Sequence, residues 1–313
     1  MQSWMIALIV VACVIAGLAL VLFIGSFIAL DAVLGRPKKR WSNENPQKYG
    51  VDPTWFDGLK DVTEKLEITS FDGLKLRALH ITHGDGLSRR VAVLQHGYYA
   101  TTRSMQPYAR IFYERGYDLV IPSARAHGDS EGKYIGMAWL DRFDVMRWIE
   151  KTVELYGKDV SIALMGVSMG GATVCAVSGM NPPPQVKCII DDCGFSSQRD
   201  EYYACVKKVP LPNAVAVLPL AIGVRLKQGY SMYDADILPL IAKSTLPTLI
   251  MHGRDDTFVP CELGQKLYDA CGAADKRIYI AEGATHARAY VVDPEKYESQ
   301  LTEFVDKYIP LEK

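Results

Sequence analysis

The pattern that most constrains the fold of this chain covers residues 161–172. A short apolar segment rich in Ile, Leu and Met ends at Gly166-Val167-Ser168-Met169-Gly170, and small residues with helical spacing follow. A serine between two such glycines is typical of a sharp turn from a strand into a helix, where larger side chains would collide. The pattern therefore predicts that Ser168 has strained backbone geometry and an exposed hydroxyl, which makes it a candidate nucleophile.

Strands and helices alternate on both sides of this turn. Buried-strand patterns cover residues 91–95, 117–121, 186–191, 247–251 and 277–281, after a hairpin pattern at residues 66–79. Such alternation predicts a mostly parallel sheet with helices on both faces. The alternation stops at residues 195–245, which are rich in Tyr, Pro and short apolar runs, and this insertion predicts a helical cap. The cap either packs on the core of its own domain or forms an apolar wall for an acyl or aromatic substrate, and in the second case it could also touch lipid.

The N-terminal segment predicts a membrane anchor. Residues 4–30 contain no charged side chain, and a helix of that length can cross a bilayer. We expect an uncleaved transmembrane anchor at residues 1–35, a juxtamembrane connector at 36–60 and the globular domain at 61–313. A cleaved signal peptide is the competing interpretation, but no basic residue precedes the apolar run. The basic residues that follow it predict a single-pass protein of the cell membrane with its globular domain on the cytoplasmic side: Arg36, Lys38, Lys39 and Arg40.

Composition argues against several other classes of protein. The formal net charge is −1, so no basic excess indicates a nucleic-acid partner. The seven cysteines include no Cys-x-x-Cys pair and no Cys/His spacing suited to zinc, which is typical of reduced, packed thiols. We therefore expect neither a metal nor a cofactor, and the sequence leaves the oligomeric state open.

A base and an acid for Ser168 occur later in the chain, each just after a predicted strand. His286 is placed to take the serine proton, and Asp255 or Asp256 is placed to orient His286. We choose Asp256 because it lies deeper in its loop. The carboxyl ends of parallel strands meet at one edge of a sheet, so the three side chains are predicted to meet there.

Two backbone N–H groups complete the predicted site. Those of Tyr98 and Met169 are expected to form an oxyanion hole. The other histidines receive no catalytic role: His80 and His83 are expected at the surface, and a structural role is assigned to His96, His127 and His252.

The combined motifs resemble the α/β-hydrolase superfamily over residues 66–308. The matching segments are His96-Gly97, Arg125-x-His127-Gly128-x-Ser130, Gly166-x-Ser168-x-Gly170, His252-Gly253-x-x-Asp256-x-x-Val259-Pro260 and Gly283-x-x-His286. The chain is most similar to bacterial membrane-anchored serine hydrolases with a small helical cap, and also to acylaminoacyl-peptidase-like and esterase domains. The resemblance implies the α/β-hydrolase fold, and its spacing also favours Asp256 as the acid. Ser123 departs from the family, which usually has Asp there, but this position does not touch the triad.

These observations lead to one expected function and two alternatives. We expect a membrane-anchored serine hydrolase that cleaves a small-molecule ester or acyl substrate through an acyl-enzyme, with the lipid bilayer as the partner of its N-terminal helix. A serine at the turn argues against dehalogenases and epoxide hydrolases, which use aspartate there. Peptide or amide hydrolysis and acyl transfer remain open because the same triad serves them. A catalytically silent membrane-tethered binding module is the alternative from another class.

Overall fold

The computed structural model describes residues 3–37, 46–52, 54–84 and 87–310. The helices are α1 (Ser3–Leu34), α2 (Gln106–Glu114), α3 (Asp141–Tyr156), α4 (Met169–Ser178), α5 (Gln198–Cys205), α6 (Asn213–Ala216), α7 (Leu218–Gln228), α8 (Leu238–Ile241), α9 (Cys261–Ala270), α10 (Ala289–Val292) and α11 (Pro294–Tyr308). The strands are β1 (Thr63–Thr69), β2 (Lys75–Ile81), β3 (Arg90–Gln95), β4 (Asp118–Pro122), β5 (Ser161–Val167), β6 (Val186–Asp192), β7 (Thr248–Gly253) and β8 (Lys276–Ala281). Short 3₁₀ helices cover Pro46–Tyr49, Trp55–Val62 and Thr102–Met105.

The eight strands of the described ranges form one sheet in the order β1-β2-β4-β3-β5-β6-β7-β8. Strand β2 runs antiparallel to β1 and to β4, and the remaining neighbours are parallel. Helices α2 and α11 bury Phe112 and Phe304 on one face, and α3 and α4 bury Trp148 and Val174 on the other. The predicted α/β-hydrolase fold is confirmed, with helices on both faces of the sheet as the alternation of elements indicated.

The position of His80 differs from the prediction. The residue is 1% exposed, with Nδ1 2.6 Å from Glu64 Oε1 and Nε2 2.5 Å from the Tyr156 hydroxyl. The expectation of a surface residue is wrong for His80 because β2 lies between two other strands and the end of α3 covers it. His83, just past the end of β2, is exposed as predicted.

Helix α1 is the one helix of the described ranges that is long and apolar enough to cross a membrane. Its 32 residues extend about 48 Å, whereas about 20 residues cross the hydrocarbon core of a bilayer. Ser26, Leu30 and Leu34, spaced four residues apart, are buried on one face near its C-terminal end. That face packs against α7, where a Cβ added to Gly223 would lie 2.6 Å from the Ser26 carbonyl oxygen.

The residues after α1 are only partly described. Arg36 donates hydrogen bonds to the carbonyl oxygens of Gly128 (2.7 Å) and Ser130 (2.8 Å). Lys38, Lys39 and Arg40, on which the predicted membrane orientation also depends, lie outside the described residues.

Candidate active site

Ser168 lies at the sharp turn that its flanking glycines predict. Strand β5 ends at Val167, α4 begins at Met169, and Ser168 between them has φ 58° and ψ −118°. A Cβ added to Gly166 would lie 2.1 Å from the Gly170 carbonyl oxygen, and one added to Gly170 would lie 2.1 Å from that of Gln95. Both glycines are therefore required by close backbone contacts, and the Ser168 backbone is held in a conformation that L-residues rarely adopt.

The structure brings Ser168, His286 and Asp256 into one hydrogen-bonded chain. Ser168 Oγ lies 2.9 Å from His286 Nε2, and His286 Nδ1 lies 2.7 Å from Asp256 Oδ2. The geometry matches a nucleophile, a base and an orienting acid. It arises because the residues follow β5, β8 and β7, whose carboxyl ends lie at the same edge of the sheet.

The two candidate acids, Asp255 and Asp256, differ in burial within the loop that follows β7. Asp256 is buried, and its Oδ1 accepts the backbone N–H groups of Phe258 and Val259, both at 2.9 Å. Burial acts to raise the pKa of Asp256, but hydrogen bonds from His252 and His286 lower that pKa to about 2. Asp255 is exposed, so it is Asp256 that contacts His286.

The two predicted oxyanion donors flank Ser168. Met169 is the first residue of α4, where backbone N–H groups have no partner within the helix. Gly97 brings the Tyr98 loop against the serine, since a Cβ added to Gly97 would lie 3.2 Å from Ser168 Cβ. Within the described ranges, no protein acceptor takes the N–H of Tyr98 or Met169.

Two buried histidines form hydrogen bonds to this loop and to the loop that follows β4. His127 Nε2 accepts the Tyr99 N–H at 3.1 Å, and His96 Nε2 accepts the Ala124 N–H at 3.0 Å. Burial lowers the pKa of His96 to about 4 and that of His127 to about 3, so both rings stay neutral and able to accept. Their contacts agree with the structural role that the sequence assigned to them.

The buried state of His127 predicts a pH-dependent stability. In the unfolded chain its pKa is about 6.5. As the pH falls below that value, the unfolded state takes up a proton and the folded state does not, so stability is lost. His127→Gln keeps an acceptor that cannot be protonated. We expect the unfolding free energy of the natural protein, relative to this variant, to fall by about 2 kcal/mol between pH 7 and pH 4.5. Urea unfolding in detergent at both pH values measures this difference, and parallel pH curves for the two proteins would contradict it.

Three residues near the site have contacts that the sequence did not indicate. His252 Nε2 donates to the Val259 carbonyl at 2.9 Å and lies 3.5 Å from Asp256 Oδ2, so this ring also touches the acid. Tyr49 and Val51, from the predicted juxtamembrane connector, line the cavity beside Ser168. Tertiary packing brings them there, and no periodicity in the connector marks it.

A cavity of about 110 Å³ opens beside the Ser168 hydroxyl. Its lining comprises Tyr49, Val51, Gly97, Tyr98, Tyr99, Ala100, Ser104, Met105, Tyr108, Val167, Ser168, Phe258, His286 and Ala287. None of these described lining residues is Asp, Glu, Lys or Arg, and none comes from residues 195–245 of the predicted cap. The apolar wall beside the serine therefore comes from the connector, the segment 97–108 and the loops that carry Phe258 and Ala287. Leu220 and Val224 of the cap pack with Leu30 in a core cluster.

One group of metal-ligand types coincides with this site. Ligand atoms of Cys193, Asp256 and His286 lie within 4.8 Å of one another. Burial raises the pKa of the Cys193 thiol well above its usual range, which keeps it protonated and a poor metal ligand. Asp256 and His286 already bond to each other, so this residue set does not fit a metal centre.

Comparisons with known proteins agree with the fold. A family model described as X-Pro dipeptidyl-peptidase (S15 family) matches residues 45–234, and one described as serine aminopeptidase, S33, matches residues 219–290. The uncharacterized protein YqkD of Bacillus subtilis is 25% identical over 250 residues, covering 78% of this chain and 81% of YqkD. The non-heme chloroperoxidase CPO-A1 of Kitasatospora aureofaciens is 24% identical over 261 residues, covering 70% of this chain and 93% of its own.

Solved structures show the same architecture. The Pyrococcus furiosus esterase Pf2001 superposes with a TM-score of 0.67 at 21% identity, covering 88% of this chain and 98% of the esterase. That likeness shows the fold, and the S15 model covers more than half of the chain. The chain is therefore a hydrolase of the α/β-hydrolase superfamily and belongs to the family described as X-Pro dipeptidyl-peptidase (S15 family).

Proposed function

We propose that this protein is a membrane-anchored serine hydrolase that cleaves esters of apolar acyl groups through an acyl-enzyme on Ser168. The observation that carries the proposal is the hydrogen-bonded chain from Ser168 through His286 to Asp256, beside an uncharged cavity. The proposal joins a nucleophile, a base and an acid to a space that suits an acyl group.

The reaction follows from these positions. Ser168 Oγ attacks the ester carbonyl carbon while its proton passes to His286 Nε2. The N–H groups of Tyr98 and Met169 stabilise the resulting oxyanion. When the C–O bond breaks, His286 returns the proton to the leaving alcohol, and the acyl group stays on Ser168. A water molecule then attacks the acyl-enzyme with His286 as its base, which releases the acid and restores the serine.

The uncharged lining of the cavity favours an apolar acyl group as substrate and disfavours a peptide with a free N-terminus. An N-terminal ammonium needs a carboxylate or several acceptors when it leaves water. The described lining offers no carboxylate, whereas Val51, Met105 and Phe258 offer apolar surface. At about 110 Å³ the cavity has room for about four water-sized groups of roughly 30 Å³ each, which corresponds to a short acyl chain. The name of the matched family supports peptide-bond hydrolysis as the second candidate.

Membrane anchoring is supported by the two parts of α1. Residues up to about 21 are exposed and apolar, which suits a bilayer span. Leu30 and Leu34 are fully buried among core residues. Cleavage of α1 as a signal sequence after these residues would expose their packing partners, so retention of the helix is favoured. The basic residues after α1 support a cytoplasmic domain, and protease protection of the domain in intact cells is the expected result.

A substrate series tests the reaction class. The full chain in detergent is assayed with p-nitrophenyl esters of increasing acyl length, the matching acyl p-nitroanilides and an X-Pro p-nitroanilide with a free amine. We expect the highest kcat/KM for an ester with an acyl chain of about two to six carbons, since longer chains exceed the cavity. Faster turnover of the free-amine X-Pro substrate would overturn the ester proposal in favour of the peptidase one. A lack of turnover together with a lack of fluorophosphonate labelling would overturn both.

A further inference from the structure

We propose that the C-terminal end of the membrane helix α1 positions the oxyanion loop, so that the anchor contributes to catalysis as well as to location. This inference rests on the function proposed above. It is carried by a hydrogen bond between the Tyr98 hydroxyl and the Val33 carbonyl oxygen, which joins the last turn of α1 to a residue at the active site. Tyr98 is thus a positioning residue through its side chain and a proposed oxyanion donor through its backbone.

The end of α1 needs partners of this kind. The last four carbonyl groups of a helix have no donor within the helix. Here Val33 accepts from Tyr98, and the Leu34 carbonyl oxygen accepts the Ile135 N–H at 2.7 Å. Gly35 then pairs with Tyr134 in an antiparallel bridge. The catalytic domain therefore supplies the C-terminal cap of the membrane helix, and one of the capping groups belongs to the oxyanion loop.

The same loop is fixed on its other sides. The rings of Tyr98 and Tyr99 lie with centroids 4.3 Å apart, and the Tyr99 N–H donates to His127. Burial raises the pKa of Tyr98, which keeps its hydroxyl protonated and able to donate to Val33. Tyr99 has φ 54°, so the loop holds a conformation that requires support from its surroundings. Val33 supplies that support on the side facing α1.

Two further contacts keep α1 in place against the domain. Gly223 of α7 leaves no space for a side chain, with Ser26 O 2.6 Å and Leu30 Cβ 2.9 Å from an added Cβ. Arg36 binds the carbonyl oxygens of Gly128 and Ser130, in the loop that follows His127. A shift of α1 would therefore move Val33 away from Tyr98.

The first test removes only the hydroxyl. Tyr98→Phe keeps the ring in the cavity wall and abolishes the bond to Val33. Because a full oxyanion donor contributes about 10²–10³ in kcat, a misplaced donor is expected to lower kcat by about tenfold. KM for the best ester should stay within about twofold, since the lining is unchanged. An unchanged kcat, or a raised KM alone, would overturn the inference.

The second test moves the anchor without touching the cavity. Gly223→Leu places a side chain where α1 passes, and it is expected to lower kcat by the same factor as Tyr98→Phe. Gly17→Leu is the matched control, because the space around Gly17 is open, and its kcat should equal that of the natural protein. If both variants act through the Val33–Tyr98 contact, the double variant Tyr98→Phe/Gly223→Leu will be no slower than Gly223→Leu alone. If the loss of kcat in the double variant equals the product of the two single losses, the two variants do not act through the same contact.

Labelling by a fluorophosphonate separates this inference from the proposed function. Should Gly223→Leu fail to fold, Tyr98→Phe alone decides the outcome. If Tyr98→Phe leaves kcat unchanged while Ser168 of the natural protein is labelled, the positioning inference is wrong. The serine hydrolase proposal then stands, with α1 as a simple anchor. An unlabelled natural protein removes the proposed function, and the positioning inference with it.

Discussion

Replacement of Ser168 by alanine is expected to lower kcat/KM by roughly 10⁴ to 10⁶-fold for the best ester. The hydroxyl is the one group of the proposed triad that forms a bond to the substrate, and the remaining oxyanion donors give only residual catalysis. Fluorophosphonate labelling should disappear in the same variant. The measurements are steady-state hydrolysis by the full chain in detergent and detection of the labelled protein on a gel.

Ser178→Ala is a suitable control for this experiment. Ser178 is the last residue of α4, is buried, and donates one hydrogen bond to the Cys175 carbonyl oxygen at 2.7 Å. The same chemical change at the opposite end of the same helix should leave labelling intact and kcat/KM within about threefold of the natural value. Substantial ester hydrolysis by Ser168→Ala, with Ser178→Ala unaffected, would mean that another group is the nucleophile.

The fold could be predicted because its signals are local. Glycines at 166 and 170 mark the turn at Ser168, and apolar runs mark the strands that carry each side chain to the edge of the sheet. Strands β5, β7 and β8 are parallel members of one sheet, with β6 between β5 and β7, so their carboxyl ends share one edge, and the loops that follow bring Asp256 and His286 to Ser168. Sequence order and strand pattern placed all three side chains at that edge, and the choice of Asp256 over Asp255 also used its position in the loop and the spacing of the resembled family.

The remaining parts depend on contacts between distant segments. Tyr98 and Val33 are 65 positions apart, and neither residue type predicts the other. Val51 enters the cavity through the path of the connector, which has no repeating pattern. His80 is buried because Tyr156 of a later helix covers it. In each case the deciding factor is tertiary packing, which hydrophobic periodicity does not encode.

The second large expected effect on kcat comes from replacing the acid of the proposed triad, which we assign to Asp256 and not to Asp255. Asp256→Asn is expected to lower kcat by roughly 10³ to 10⁴-fold, while Asp255→Asn stays within about twofold of the natural protein. An asparagine at 256 can still accept the Phe258 and Val259 N–H groups through its oxygen, so the loop should remain folded. Its NH₂ group would face His286 Nδ1, however, which favours the wrong tautomer and removes the negative charge that stabilises the imidazolium.

The two asparagine variants form a matched pair, since they make the same change one position apart. Asp255 is exposed and Asp256 buried, so equal thermal unfolding temperatures of the variants would assign a difference in kcat to chemistry rather than to stability. Since the pKa of Asp256 is lowered to about 2, its carboxylate is ionised throughout the assay range, so Asp256→Asn removes a full negative charge beside His286 at every assay pH. A larger loss for Asp255→Asn would transfer the role of the acid to that residue, and equal small losses would mean that His286 acts without an orienting carboxylate.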